Sequence, residues 1–435
     1  MSLWWTQVDH PVFAPQPLDQ QWDVVIVGGG FSGLWCAHHL ISCDPNLKIA
    51  VIEQNQVGSG ASGRNGGWVS ALYPASDESL GKRFSPEIIE SLHAQLRNAI
   101  DDIGGFINER DIDAGYHKGG TLVVARNQGQ HKRLRRHLEK NSIWLDAKQT
   151  RARIGMSQAI GAVYSPDCAA INPAALVAGL ARSLEDRGVS IFENTFAEIS
   201  RHKKIHVGGR HIRTQTVVRA IEAYQVQSRD QIPIYSLMIA TDPLPADVFD
   251  EIGLRNRETF ADASFLVNYA QRTADNRLAI GGRGAPYTWG SRRNNGRETQ
   301  PVIHQKLRQM AKEWFPILEN HEFTHAWGGA VAITRDWNPY VRWTGSYGEM
   351  GGYAGDGVTL SYLTAATMSD LILKRKTLRT QLPFVQWQNR RWEMEPLRWL
   401  AVNSIIKLSS AADREEKLTH RSSLIMKALT PIVGK

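Results

Sequence analysis

Two neighbouring stretches, DVVIVGGGFSGLWCAHHL (23–40) and LKIAVIEQNQVGSGASGRNGGW (47–68), decide how this chain folds. Residues 24–27 form the tight apolar run that a parallel strand buried on both faces requires. Gly28, Gly30 and Gly33 follow in G-x-G-x-x-G spacing, and residues 34–40 are apolar enough for a helix packed back on that strand. Each glycine has its own reason. Gly28 permits the sharp turn, Gly30 admits a pyrophosphate close to the backbone, and Gly33 lets helix and strand approach. Gly29, Phe31 and Ser32 complete a turn whose amides offer the phosphates a helix N-terminus. A second apolar run, residues 49–52, ends in Glu53 and Gln54. Glu53 lies about twenty residues beyond Gly33, where an acid binds the hydroxyls of an adenosine ribose. Strand, turn, helix, strand and acid in this order describe a dinucleotide site.

Beyond Glu53 the chain is dense in glycine: Gly58, Gly60, Gly63, Gly66 and Gly67, with Ser59, Ala61, Ser62, Arg64 and Asn65 between them and Trp68 at the end. Such a loop brings backbone amides close to a ligand and makes positive φ available where needed. A flexible linker needs no Arg-Asn pair and no tryptophan. A nicotinamide needs no second loop, whereas an isoalloxazine ring lies farther along and needs backbone and polar contacts around it. The stretch therefore points to a flavin.

The run GSGASGRNGG after a G-x-G-x-x-G unit resembles the glycine oxidase, sarcosine oxidase and D-amino-acid dehydrogenase superfamily of FAD-dependent amine oxidoreductases, the D-amino-acid oxidase group. INPAALVAGLARSLEDRGVSIFENT (171–195), FLVNYAQRTADNRLAIGG (265–282) and GGYAGDGVTLSYLTAATMSDLIL (351–373) strengthen the likeness, which is greatest to the gamma-glutamylputrescine oxidase branch. The resemblance implies a Rossmann-like FAD-binding domain (α/β) interleaved with a mostly antiparallel-sheet substrate domain (α+β), as in glycine oxidase. It implies that Ala197 meets the adenine through its backbone and that the strand ending at Ala220 runs under the pyrophosphate. Ala220-Ile221-Glu222 departs there from the family's usual Ala-Thr or Ala-Gly. It further implies that Gly352, Tyr353, Gly355, Gly357, Val358 and Thr359 embrace the ribityl chain and the pyrimidine end of the ring. Tyr269 and Arg283 on the inner face of the sheet, with Trp68, are the expected substrate contacts.

One departure bears on the substrate. In the family's amino-acid oxidases an arginine on the strand that crosses back through HAWGGAVAITRDWNPYVRW (325–343) clamps the substrate carboxylate. Counted back from Asn338-Pro339-Tyr340, that position is Val331, and Arg335 is displaced from it. The expectation is therefore oxidation of a primary or secondary amine by hydride transfer to flavin N5. It gives an imine and then an aldehyde, with hydrogen peroxide as the expected co-product. A gamma-glutamylputrescine-like amine stands first. Alternatives are an aminophosphonate or N-methylated amine, a dehydrogenase passing electrons to an acceptor other than O2, and an RNA-modifying flavoprotein. No histidine forms a visible acid–base dyad. Trp68 stands where some relatives carry a flavin-linking histidine, and the setting of Cys168 matches no known linkage, so FAD is expected to be noncovalent.

The expected organisation is FAD-binding segments at 1–85, 166–230 and 336–380, substrate-domain segments at 86–165 and 231–335, and a helical extension at 381–435. Helices are expected over residues 86–111, 128–140, 174–184, 301–315 and 358–373. Residues 397, 400, 405 and 408 offer one apolar face for a C-terminal helix, either packed or weakly held at a membrane surface. The net charge is +8, and Arg126, Lys132, Arg133, Arg135, Arg136, Lys140, Lys148, Arg151 and Arg153 concentrate the basic excess. On the helix over 128–140 no aromatic residues interleave with these charges, so they read first as a solvated face, with an RNA- or membrane-facing patch as the alternative, and no nucleic-acid partner is expected. Cys36, Cys43 and Cys168 make neither a metal spacing nor a disulfide framework. Without a secretory signal or a membrane-length apolar run, the expectation is a cytoplasmic monomer or homodimer, active in amine catabolism and without a metal.

Overall fold

The computed structural model describes all residues except 15, 19–20, 226–228, 283, 294 and 434–435. Its first sheet has six strands, ordered Tyr340–Trp343, Tyr347–Gly351, Thr214–Arg219, Trp22–Val27, Ile49–Ile52 and Ser190–Phe192. All pairings are parallel except that of the edge strand Tyr340–Trp343. The strand Trp22–Val27 is apolar throughout its second half because both faces are covered. Val24 and Ile26 meet the helices Phe31–Cys43 and Gly357–Ile372, whereas Val25 and Val27 pack with Ile205 and Ile212 of a three-stranded antiparallel sheet on the other side. Burial on both faces is the reason such strands read as continuous hydrophobic runs.

The second sheet has eight strands, ordered His325–Thr334, Gln231–Ala240, Leu278–Gly282, Asn268–Arg272, Thr259–Asp262, Thr121–Ala125, Gly161–Ser165 and Ile143–Asp146. Only Thr259–Asp262 and Thr121–Ala125 pair in parallel. Residues from 121–165 and 231–334 thus build one sheet, with the helix Pro301–Trp314 packed on it through Leu307, Ala311 and Trp314. The expected helices appear as Pro86–Glu109, Gln128–Arg136, Pro173–Glu185, Pro301–Trp314 and Gly357–Ile372. Asn172 caps the third of these, its side chain accepting from the amides of Ala174 at 3.0 Å and Ala175 at 3.2 Å.

Two expectations change. The helix Pro86–Glu109 was grouped with the substrate domain, yet Leu92, Leu96, Ile100 and Ile103 pack into the core of the first sheet beside the helix Gly357–Ile372. The i, i+4, i+8, i+11 row had to be buried somewhere, and its period says nothing about which sheet receives it. On the C-terminal helix Leu397–Thr419, the buried side carries Arg398, Val402, Asn403, Ser409, Ala412 and Glu416. Leu397, Leu400 and Leu408 face outward and Ile405 is half-buried. Polar residues take the inner side because the surface beneath supplies partners: Asn403 with Tyr287 and Glu416 with Arg133.

Candidate active site

The C-terminal ends of Trp22–Val27, Ile49–Ile52 and Thr214–Arg219 open on a cavity of about 920 Å³, roofed by the eight-stranded sheet through Ser236, Ala261, Tyr269, Gly329 and Val331. Ligands of open parallel sheets bind in such a crevice. Gly28, Gly30, Phe31, Ser32, Glu53, Gln54, Gly60, Ala61, Ser62, Arg64, Asn65, Gly66, Trp68, Ala197, Ala220, Tyr269, Tyr353, Gly355, Gly357 and Val358 all line it. Gly29, Gly33, Gly67, Gly352 and Thr359 stand just behind the lining. Arg283 lies outside the described residues.

The first turn is as tight as its spacing requires. Gly28 has φ +115°, and a Cβ on it would sit 2.4 Å from the carbonyl oxygen of Ala220. On Gly33 a Cβ would sit 2.0 Å from the carbonyl oxygen of Gly28. No side chain fits either place. Gly30 caps the helix Phe31–Cys43, and the Ser62 hydroxyl accepts from the Phe31 amide at 2.9 Å, tying the second glycine loop to the first. Glu53 is held at the turn, its Oε2 accepting from the Gly29 amide at 2.8 Å and its Oε1 from the Asn55 amide at 2.9 Å.

The glycine loop is held from outside. Indole Nε1 of Trp4 donates to the Asn65 carbonyl at 2.8 Å, and that of Trp327 to the Arg64 carbonyl at 2.9 Å. Gln271 Nε2 donates to the Gly66 carbonyl at 2.7 Å. With its carbonyls drawn away from the cavity, the loop keeps its inner surface for a ligand. The aromatic lead-in at the N-terminus, which has no readable period, is thus a buttress of the cofactor loop.

The residues fit a flavin dinucleotide. Trp68 Nε1, in the cavity wall, and Thr359 Oγ1, beside Val358 at the N-terminus of Gly357–Ile372, are buried and have no partner. Orphaned buried polar atoms are uncommon and ask for one. A Cβ on Gly66 would run into the Tyr269 ring at 2.3 Å, so the glycine loop and the roof of the cavity touch there.

Trp68, Tyr269 and Val331 make one part of the cavity wall mostly apolar. Trp68 and Tyr269 meet edge to face with centroids 5.9 Å apart, and the Tyr269 hydroxyl pairs with Ser236 Oγ at 2.9 Å. Val331 lines the cavity and Arg335 does not: its Nε is drawn to Glu393 at 3.1 Å, and its guanidinium lies over Trp392. Arg335 is therefore no part of the substrate lining. Arg64 forms an ion pair with Glu298.

Sequence reasoning undervalued Glu222. This carboxyl lines the cavity, and burial raises its pKa to about 7. The amides of Ala332, Ala223 and Tyr353 oppose that shift, with Oε2 accepting from Ala223 at 3.0 Å and from Ala332 at 3.2 Å. Its φ of +37° is a conformation few non-glycine residues keep without such support. Glu222 ties the crossing strand to the turn at Tyr353. The signal was its departure from the family pattern, which carried no meaning until the other two segments were in place. His38 and His39 are excluded as bases on the cavity, which they do not line; burial lowers His38 to about 4 and His39 well below its usual value. Burial likewise pushes the Cys36 and Cys168 thiols up to about 12, which leaves them inert.

Fold and site together define a flavin-dependent oxidoreductase of the glycine-oxidase-like architecture. The chain belongs to the FAD dependent oxidoreductase (DAO) family, whose model matches residues 23–371. It is 30% identical over 391 residues to a probable oxidoreductase OrdL of Rhizobium meliloti (strain 1021), covering 85% of this chain and 87% of that protein. It is 26% identical over 366 residues to gamma-glutamylputrescine oxidoreductase of Escherichia coli (strain K12), covering 80% and 83%. Among solved structures, glycine oxidase from Geobacillus kaustophilus superposes with a TM-score of 0.71 at 21% identity, over 85% of this chain and 99% of that one. FAD is the cofactor, and the enzyme is an oxidoreductase of amines or amino acids.

Proposed function

We propose that the substrate is an amine whose acidic group, if any, lies away from the reacting carbon, with a gamma-glutamylputrescine-like amine as the first choice. The carrying observation is Val331, an apolar side chain in the cavity wall where a carboxylate clamp would stand, together with the engagement of Arg335 by Glu393. An α-carboxylate set against Val331 would find no arginine at that position of the crossing strand to pair with, and desolvating it unpaired costs several kcal/mol.

Bound FAD supplies the two-electron acceptor for the hydride leaving the amine's α-carbon, and the imine so formed hydrolyses to an aldehyde. This chain's own residues orient and desolvate. The Trp68–Tyr269 corner, with Val331, presents an apolar surface that favours the neutral amine, the form able to give up a hydride. Tyr269 is kept in place by Ser236 and by the Met238 sulfur at 3.4 Å. The cofactor is noncovalent in this reading, and O2 is the first acceptor to test.

Anaerobic bleaching of the yellow holoprotein by a panel of amines tests the proposal. Gamma-glutamylputrescine, putrescine, aminophosphonates, N-methyl amines, glycine and alanine make up the panel. Faster bleaching by a remote-acid amine than by glycine or alanine is expected, and the reverse order overturns it. Peroxide yield against dye reduction then separates oxidase from dehydrogenase.

A further inference from the structure

The C-terminal extension departs from the rest of the molecule in its surface. Residues 381–435 hold nine Lys and Arg against five Asp and Glu. A second basic segment, 126–153, holds nine against two. The fold brings the two together. Arg133 on the helix Gln128–Arg136 grips the fully buried Glu416 of the helix Leu397–Thr419 at 2.9 and 3.1 Å. Gly129 lies so close to the Arg421 carbonyl that a Cβ would meet it at 2.9 Å. Arg126 beside the first helix and Lys407, Arg414 and Lys417 of the second line one shared hollow.

The surface of the extension is also apolar. Met394, Leu397, Leu400, Leu408, Leu418 and Leu424 keep between 37% and 75% of their area exposed, a concentration of large hydrophobic side chains along one short stretch. Leu397, Leu400, Leu408 and Leu418 recur at helical spacing on the side opposite the buried Val402 and Glu416. Exposed Lys407 and Arg414 flank the row and form no ion pair among the described residues. Scattered surface leucines need no explanation, but a row of them bordered by unpaired cations does.

We infer that this face docks on an anionic lipid surface, with the outer side of Leu397–Thr419 in the headgroup layer and the basic residues of both segments on the lipid charges. The occupant follows from charge and side-chain type. A symmetric dimer would set the patch against itself, cation against cation. A nucleic acid would match the charge, yet Trp399 is the one aromatic among the exposed large apolar side chains of Leu397–Thr419 and the rest are aliphatic, where a stacking platform needs several rings. An amphipathic helix with cations beside its apolar side is what an interface of anionic lipid accepts. The inner side of the same basic helix, through Arg133, Leu134 and His137, lines the flavin cavity, so docking would place the catalytic cavity close to the membrane. No helix among the described residues is long and apolar enough to cross a membrane, and surface binding requires none.

Co-sedimentation of the full-length holoprotein with phosphatidylcholine vesicles, with and without phosphatidylglycerol, tests this. Binding is expected only with the anionic lipid. It should fall about tenfold in the triple variant Leu397→Ser/Leu400→Ser/Leu408→Ser, about tenfold in Lys407→Glu/Arg414→Glu, and further as salt rises. Flavin content of each variant, which the exposed substitutions should leave unchanged, shows that it has folded. Absence of binding to anionic vesicles overturns the inference, as does binding that neither variant weakens. A dimer that the leucine variant dissociates, without vesicle binding, gives the face to a second copy. Salt-sensitive RNA retention without vesicle binding gives it to nucleic acid.

Discussion

Replacing Glu222 with glutamine isolates the energetic consequence of burying a carboxyl in the cofactor cavity. Burial raises its pKa from 4.5 to about 7 in the folded protein, against the opposing pull of three backbone amides. The shift amounts to about 3 kcal/mol at 1.36 kcal/mol per unit. The sign follows from linkage. Between pH 4.5 and about 7 the folded state keeps a proton that the unfolded state has released, so stability falls as pH rises through this window. Below it the group costs nothing through ionisation, and above it the whole cost is present. Glutamine preserves the shape and one acceptor oxygen for the Ala332 and Ala223 amides but cannot ionise. Urea unfolding of holoprotein at saturating FAD, from pH 5 to pH 8, is the assay. The stability of Glu222→Gln relative to wild type is expected to climb with pH, by up to about 3 kcal/mol. A difference that stays flat over this range refutes the reasoning, because it would mean that Glu222 ionises alike in both states. A uniform loss of stability would assign the carboxylate a hydrogen-bonding role alone.

Val331→Arg should install the absent clamp. A charge-assisted pair with an α-carboxylate is worth about 1.5–3 kcal/mol, so kcat/KM for glycine or alanine should rise at least tenfold while that for the preferred amine falls. Arg133→Ala should strand the fully buried Glu416, cost about 3–5 kcal/mol and raise amide hydrogen exchange in Leu397–Thr419. Acid precipitation should release all flavin into the supernatant, since Trp68 stands at the wall and the Cys36 and Cys168 thiols are buried and protonated. Flavin retained in the pellet contradicts that expectation.

How much was legible from sequence depended on whether a constraint was local. Gly28, Gly30 and Gly33 act within a few residues, so their spacing sufficed to read the turn, and Gly28 and Gly30 line the cavity. The second glycine loop pointed to a flavin for the same reason. Asn172-Pro173 opened a helix because a cap and a first-turn proline are local devices. The helix Pro86–Glu109 shows the limit. Its row was plain, but the sheet it covers was a tertiary choice that no period in the row reveals.

By itself the sequence determined the dinucleotide unit, the kind of cofactor, the alternation of parallel and antiparallel segments and the absence of an arginine at Val331. The first three follow from steric demands on single glycines and from burial patterns along single elements, whereas the fourth was legible only against the family that the chain resembles. Only the tertiary structure decided that Trp4, Trp327 and Gln271 hold the glycine loop from outside. It alone converted Glu222 from an oddity into a tie between Ala332 and Tyr353, more than one hundred residues beyond it. It also turned Leu397, Leu400 and Leu408 outward, because Arg133 and Tyr287 offer the opposite side of that helix polar partners that no periodicity can reveal.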